Sequence, residues 1–404
     1  MKKINIIFLV IIVFALLFLL NIKKTQYLEA RTNTFSKYVV TNQDSNIYTI
    51  EESVIKTAGL IKQGEELILE NISFGEYYKI SSLGKEYYIN YKNVDKIKRL
   101  NNEKKRYKRY IPYNKNIITK DITNLYDENG TLIYSLNSSY EFEVIINKSN
   151  HYGVEFNNKL LYIKNEDILK TVNSTNSNLK NIKEIAVLNY HFFYDDSKQS
   201  EIKDCNQQIC ISTSNFKKHL EYINSENIFT PTMKELEMYI DGIIQLPKSV
   251  VLTIDDGWRA EKGKDLATQY EINTTVFLMS KYYNPKNYRT EYTEVHSHGW
   301  DIHNKGVCPG GQGGAIKCLE KSKLLEDLQK SREKLSGTTV FCYPFYEYND
   351  YSIEVLKEAG FTMAFAGPGS NGNERVHKGS NKYTLPRYII YKNTTVNDIK
   401  KYIG

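Results

Sequence analysis

The chain has 404 residues, 41% of them hydrophobic and 25% charged, with 54 Lys and Arg against 47 Asp and Glu and a formal net charge of +7. These fractions exclude wholesale disorder and a collagen-like fibre, and a mean hydropathy of −0.50 with one long apolar run excludes a polytopic membrane protein. At about 150 residues per domain there is room for two or three domains, and the mild charge excess does not suggest a nucleic-acid binder, which gathers its charge on one face.

Met1-Lys2-Lys3 heads an apolar run from Ile4 to Leu20, broken only by Asn5 and followed by Lys23 and Lys24. A basic head with such a run is an export signal. No small-x-small cleavage site and no cysteine follow it. Residues 1–30 are therefore expected to be an uncleaved signal anchor that partners the membrane, with a cleaved signal peptide as the alternative. Either way the remaining chain is expected outside the cytoplasm. The five cysteines agree with an oxidising compartment. Cys205 with Cys210 and Cys308 with Cys318 suggest local pairs, neither spacing is a CxxC metal motif, and Cys342 lies in an apolar run where burial is its default.

Residues 38–98 and 110–172 each read as short strands and turns in the same order. Glu76-Tyr77-Tyr78-Lys79-Ile80 precedes the Tyr-Ile strand Tyr87-Tyr88-Ile89-Asn90. His151-Tyr152-Gly153-Val154-Glu155-Phe156 precedes Leu160-Leu161-Tyr162-Ile163 in the same way. The repetition predicts two small all-β modules. They resemble bacterial SH3-like domains, which implies either a cell-wall polymer as ligand or a role as spacers. Between them, the basic run Lys104-Lys105-Arg106-Tyr107-Lys108-Arg109 reads as a solvated linker or, alternatively, as a contact for an anionic envelope polymer or lipid headgroup.

After a Ser/Asn/Thr-rich linker at 171–181 the pattern changes. Strands are expected at 185–190, 249–254, 274–278, 338–343 and 361–365, and helices at 216–224, 261–270, 321–335 and 351–359. Such alternation predicts an α/β fold with a parallel sheet, open or closed into a barrel. Active residues would then collect at the C-terminal ends of the strands.

Three segments sit at such ends. Asp255-Asp256-Gly257 follows Val250–Ile254 directly, and adjacent positions on an extended chain point oppositely, so one carboxylate can bind a metal while the other faces a substrate. His296, His298 and His303 lie within eight residues, beside Glu294 and Asp301. Histidine with carboxylate is a ligand set for zinc or a similar divalent ion. His298 and His303 converge only if the chain turns at Gly299, and His296 competes on spacing because it shares a strand face with His298. Cys342-Tyr343-Pro344-Phe345-Tyr346 is an aromatic strand end.

Together these segments resemble the polysaccharide deacetylases, carbohydrate esterase family 4. The family's Thr-Phe-Asp-Asp-Gly is matched by Thr253-Ile254-Asp255-Asp256-Gly257. The five-residue spacing of His298 and His303 resembles the poly-β-1,6-N-acetylglucosamine deacetylase subgroup, as do Tyr190-His191, Asn215-Phe216 and Leu385-Pro386-Arg387. The resemblance covers 184–404 and implies a (β/α) barrel. It implies a divalent metal (Zn2+, with Co2+ or Ni2+ as alternatives) held by Asp256, His298 and His303. It further implies Asp255 as general base, His191 as general acid, a backbone N–H near Phe345 in the oxyanion site, and Arg387 orienting Asp255. Pro344-Phe345-Tyr346 departs from the family's Pro-Tyr-Gly. The glycine-rich segment Cys308–Cys318 reads as a tied loop at the cleft rim.

The expected activity is hydrolysis of N-acetyl groups from an N-acetylglucosamine-containing polysaccharide, an exopolysaccharide first and peptidoglycan second. A non-catalytic wall-binding protein is the alternative of another class. A peptide-bond metallohydrolase lacks its HExxH helix.

Overall fold

The computed structural model describes residues 30–31, 35–101, 106–174, 180–368 and 375–404. It divides into two compact units: the first takes residues up to Lys105 and Tyr113–Thr175, the second Arg106–Pro112 and Asn176–Gly404. The expected anchor at 4–20 lies outside the described residues. Among those described, no helix is long and apolar enough to cross a membrane.

The first unit is all β. Each expected repeat has its Tyr-Ile strand, Tyr87–Asn90 or Lys159–Lys164, followed by a 3-10 turn and a further strand. The repeats do not stand apart, however. Strand Val54–Ile61 of the first pairs antiparallel with Leu132–Leu136 of the second, Tyr134 opposite Ile61 and Leu136 opposite Gly59. One apolar core then runs through both, from Val39 and Ile47 to Val154 and Ile163. A small module buries too little apolar surface for much independent stability, and a common core relieves that. The local repeat was readable; the pairing between strands some seventy residues apart left no local trace.

The second unit is α/β. The strands of its ring are β1 (Glu184–Tyr190), β2 (Val250–Ile254), β3 (Thr274–Leu278), β4 (Thr293–Ser297), β5 (Val340–Cys342), β6 (Met363–Phe365) and β7 (Tyr388–Ile389), with short strands Phe192–Tyr194, Cys210–Ser212 and Val376–His377 besides. Neighbours from β1 to β6 run parallel in chain order, and β7 runs parallel to the free edge of β1. The ring closes because the segment around β7 serves both edges. Leu385 N–H bonds the Ala364 carbonyl (3.1 Å) and Arg387 N–H the Gly367 carbonyl (3.1 Å), whereas Ile390 N–H bonds the Asn189 carbonyl (2.9 Å). Of the open and closed forms that the alternation allowed, the closed one implied by the family resemblance is present, completed by a seam of irregular chain.

Helices α1 (Thr213–Ser225), α2 (Met233–Ile240), α3 (Ala260–Gln269), α4 (Lys321–Lys334), α5 (Asp350–Glu358) and α6 (Val396–Ile403) accompany the strands. The pattern missed α2, although its start is written in the sequence: Thr232 and Glu235 form a reciprocal capping box. Glu235 also receives both arms of Arg106, at 3.0 and 2.7 Å. Arg106 and Arg109 lie over the Phe229 ring, each 4.9 Å from its centroid. This part of the basic run is therefore not a solvated linker. A planar guanidinium suits both the bidentate and the stacked contact, and the second unit claims both arginines.

Candidate active site and metal centre

Parallel register brings the chemistry together at one end of the barrel. Tyr190 of β1 stands opposite Ile254 of β2, so the next residues on, His191 and Asp255, emerge side by side. Leu278 of β3 stands opposite Ser297 of β4, and the His298 N–H bonds the Leu278 carbonyl at 2.9 Å. Both carboxylates and His298 are buried.

Asp256 leaves β2 at φ 71°, a left-handed conformation unusual for a residue with a side chain. Such strain persists where the surroundings enforce it, and functional sites are where it collects. The turn sets the two carboxylates on different tasks. Asp256 Oδ1 lies 3.2 Å from His298 Nε2 and 3.3 Å from His303 Nε2. The two rings reach it from either side of a turn at Gly299 (φ 86°), where a Cβ would come within 2.5 Å of Ile302. Asp327 on α4 fixes that turn by accepting the Trp300 and Asp301 amides at 2.8 and 2.7 Å.

These three groups fit a divalent ion by their own chemistry. His298 Nδ1 is 2.8 Å from the Cys342 carbonyl, which can only accept, so Nδ1 carries the proton and the Nε2 lone pair faces Asp256. Two ligand atoms each about 2.0–2.1 Å from a tetrahedral zinc stand about 3.3 Å apart, which is the spacing found here. The electrostatics agree. Burial raises the Asp256 carboxyl, yet His298 and His303 beside it hold it well below the usual carboxylate range, so the group is a carboxylate. Asp255, His298 and Cys342 form a second convergent group, but the Arg387 guanidinium lies 3.0 Å from the Cys342 sulfur, where it would repel a cation.

His296, the competitor on spacing, is placed elsewhere. Its Nδ1 lies 2.7 Å from the Thr338 hydroxyl and its ring 6.3 Å from that of Phe277. Strand β4 ends at Ser297, so the alternation that would have put His296 and His298 on one face stops between them.

Asp255 faces a different neighbourhood. Arg387, its side chain fully buried, donates Nη1–H to Asp255 Oδ1 at 2.8 Å and Nε–H to the Ala366 carbonyl at 2.8 Å. Burial pushes the Asp255 carboxyl up, but Arg387, His298 and His191 together outweigh it and hold the group below its ordinary value. Oδ2 receives the Cys342 thiol at 3.4 Å and lies 4.0 Å from His191 Nε2. Burial lowers the His191 imidazole against the pull of both aspartates. Phe345 is left-handed (φ 57°) and its ring lies 4.3 Å from that of His303. The amides after it bond the Tyr343 and Pro344 carbonyls at 3.1 Å.

The cleft over these groups holds about 390 Å³. Its rim includes Gln312 from the loop tied by the Cys308–Cys318 disulfide. Glu347 moors that loop, accepting the Gln312 and Gly314 amides at 2.6 Å and pairing with Lys317 at 3.2 Å. Cys205–Cys210 is also bonded, and Cys342 is free and buried. Sequence reasoning missed the contacts of Cys342, Asn189 and the Tyr346 hydroxyl, because each is made to a residue of a distant strand end.

The barrel thus holds, in one cleft, an Asp-His-His cluster that could bind a metal ion and a second, arginine-pinned carboxylate. Residues 244–364 match the family model of polysaccharide deacetylases. The chain therefore carries a polysaccharide deacetylase domain, which supports an enzyme with deacetylase activity. No curated protein matches the chain. Among solved structures it is similar to a de-N-acetylase from Aggregatibacter actinomycetemcomitans (20% identity, TM-score 0.45, 54% of this chain and 99% of that one). It is also similar to IcaB from Ammonifex degensii (18%, 0.45, 55% and 98%) and to a polysaccharide deacetylase from Bacillus cereus (15%, 0.44, 90% and 100%).

Proposed function

We propose that the protein is a zinc-dependent N-deacetylase of an N-acetylglucosamine-containing surface polymer, an exopolysaccharide in the first instance, acting outside the cytoplasm. The observation that carries this reading is the convergence of Asp256 Oδ1, His298 Nε2 and His303 Nε2 beside an Asp255 that is pinned by Arg387 and faces His191. The two disulfides support an oxidising compartment. We assign membrane attachment to residues 4–20 and affinity for a wall polymer to the SH3-like β unit.

A divalent ion held by Asp256, His298 and His303 would supply Lewis-acid polarisation of the acetyl carbonyl and a more acidic water. The chain's own groups do the rest. Arg387 occupies Asp255 Oδ1, so Oδ2 remains to take the proton of the attacking water. As the new C–O bond forms, the Phe345 amide bonds the carbonyl oxygen. As the C–N bond breaks, protonated His191 gives its Nε2 proton to the leaving nitrogen. The products are acetate and the free amine. The proton gained by Asp255 returns across 4.0 Å to His191.

Acetate release by the full-length protein in detergent, loaded with zinc or cobalt, tests this. The substrates are β-1,6-linked N-acetylglucosamine oligomers and peptidoglycan, with Asp255→Asn as control. Release from the oligomers is expected, and the variant should lose about 10²–10⁴-fold of it. Release from peptidoglycan alone would replace the polymer, and release from neither would put the wall-binding reading first.

A further inference from the structure

The cleft holds one side chain that the mechanism above does not use and the family pattern does not contain. Tyr346 stands where the family has glycine, and it keeps the backbone conformation that glycine favours: φ is 63°, directly after Phe345 at 57°. A side chain in that region costs about 1–2 kcal/mol, and a second feature makes room for it. A Cβ on Gly367 would come within 2.7 Å of the Tyr346 Cβ, so the space is cleared on the facing chain. The ring lies under the Arg387 guanidinium, 5.5 Å from its centroid.

What this placement achieves is visible at the hydroxyl. Tyr346 donates its O–H to Asn189 Oδ1 at 2.8 Å. Asn189 is oriented for that role because its Nδ2 donates to the Tyr190 carbonyl at 3.2 Å. The same hydroxyl lies 3.2 Å from His191 Nε2. With its one proton committed to Asn189, it can only accept from the histidine. Nε2 therefore carries hydrogen and is held towards Asp255, while Nδ1 is buried without a partner. Burial also raises the Tyr346 phenol, so the hydroxyl stays a neutral dipole.

We infer that Tyr346, through Asn189, is a positioning residue for His191: it fixes the ring with hydrogen on Nε2, the nitrogen that protonates the departing amine. This rests on the deacetylase reading above and adds a residue to it. The role concerns only the C–N cleavage step, in which the His191 Nε2–H bond breaks and the amine N–H bond forms. Attack by water, served by Asp255, does not depend on it.

The leaving group separates the two steps. An N-acetylglucosamine oligomer expels an amine that must be protonated, whereas 4-nitrophenyl acetate expels a phenolate that needs no proton. In the full-length, metal-loaded protein, Tyr346→Phe is expected to lower kcat on the oligomer at least about tenfold with little change in KM, and to leave ester turnover unchanged. In a His191→Ala background it should change nothing further. Asn189→Ala, which removes the acceptor, should lower amide turnover as Tyr346→Phe does, and matched melting temperatures exclude a folding defect. Unchanged amide turnover in Tyr346→Phe, an equal loss on both substrates, or additive losses with His191→Ala would each overturn the positioning role alone. A wild-type protein that releases no acetate from any sugar amide would instead bring down the deacetylase reading, and this role with it.

Discussion

The two units have comparable apolar cores but bury very different things beside them. The β unit buries Val39, Leu67, Tyr134 and Ile163 with a few hydroxyls, and among its described residues the one buried carboxylate is Glu65. The barrel unit buries Asp255, Asp256, Arg387, His191 and His298 around one rim, and Glu235, Asp327 and His219 elsewhere. Burying a charge costs several kcal/mol unless it is paired. A fold accepts that cost repeatedly at one place when the place does chemistry. The contrast locates function in the barrel without reference to any motif.

If this reading is right, removing a buried partner should hurt most at the rim. Arg387→Met leaves Asp255 buried opposite no cation and is expected to cost about 3–5 kcal/mol, seen as a lowered urea midpoint together with lost acetate release. Next comes His219, buried between the Tyr190 hydroxyl (3.1 Å) and the Thr394 carbonyl (3.1 Å). Burial lowers its pKa to about 4, despite the Thr394 carbonyl and Asp398. A folded-state value below the ordinary 6.5 means that the unfolded chain binds the proton first. The stability is therefore complete above pH 6.5 and is lost as pH falls to about 4, a loss of about 3 kcal/mol. In His219→Gln the urea midpoint should fall less steeply across that window.

In the β unit the effect should be smaller and silent for activity. Glu65 accepts the Tyr134 hydroxyl at 2.6 Å and pairs with Lys159 at 2.7 Å. Glu65→Ala strands the tyrosine hydroxyl and is expected to cost about 1–3 kcal/mol with acetate release unchanged. Should it cost as much as Arg387→Met, the contrast between the units fails. Smallest of all is Lys56→Ala. The Lys56–Glu51 pair is 3.0 Å long, but its side chains are 60% and 66% exposed, so the urea midpoint should move by no more than about 1 kcal/mol.

How far each region could be read from sequence follows the same division. Strand ends, a glycine turn and a histidine cluster are local signals and marked the region of Asp256, His298 and His303, but the choice of these three over His296 rested on the family resemblance. Most of the barrel's strands and helices were legible from alternating patterns, but α2, α6 and β7 were not. His296 stayed a competitor on spacing because the end of β4 falls between it and His298, and a strand end cannot be placed to one residue from pattern alone. Tyr346 was legible as a departure from a motif but not as a contact, since Asn189 and His191 reach it from β1. The fusion of the two β repeats rests on contacts distant in sequence, among them the pairing of Val54–Ile61 with Leu132–Leu136 and the bonds of Glu65 to Tyr134 and Lys159.

The docking of residues 106–112 on the barrel unit carries a consequence in time. Arg106 and Arg109 leave the ribosome long before Asn227, Phe229 and Glu235, which they bind. At about 5–20 residues per second, the interval is of the order of ten seconds. Through that interval the chain carries two uncommitted guanidinium groups. Their eventual seat, Glu235, doubles as the cap of α2. The arginines thus reach their final place only once the start of that helix has formed, and the barrel's own nucleation decides when residues 106–112 are seated.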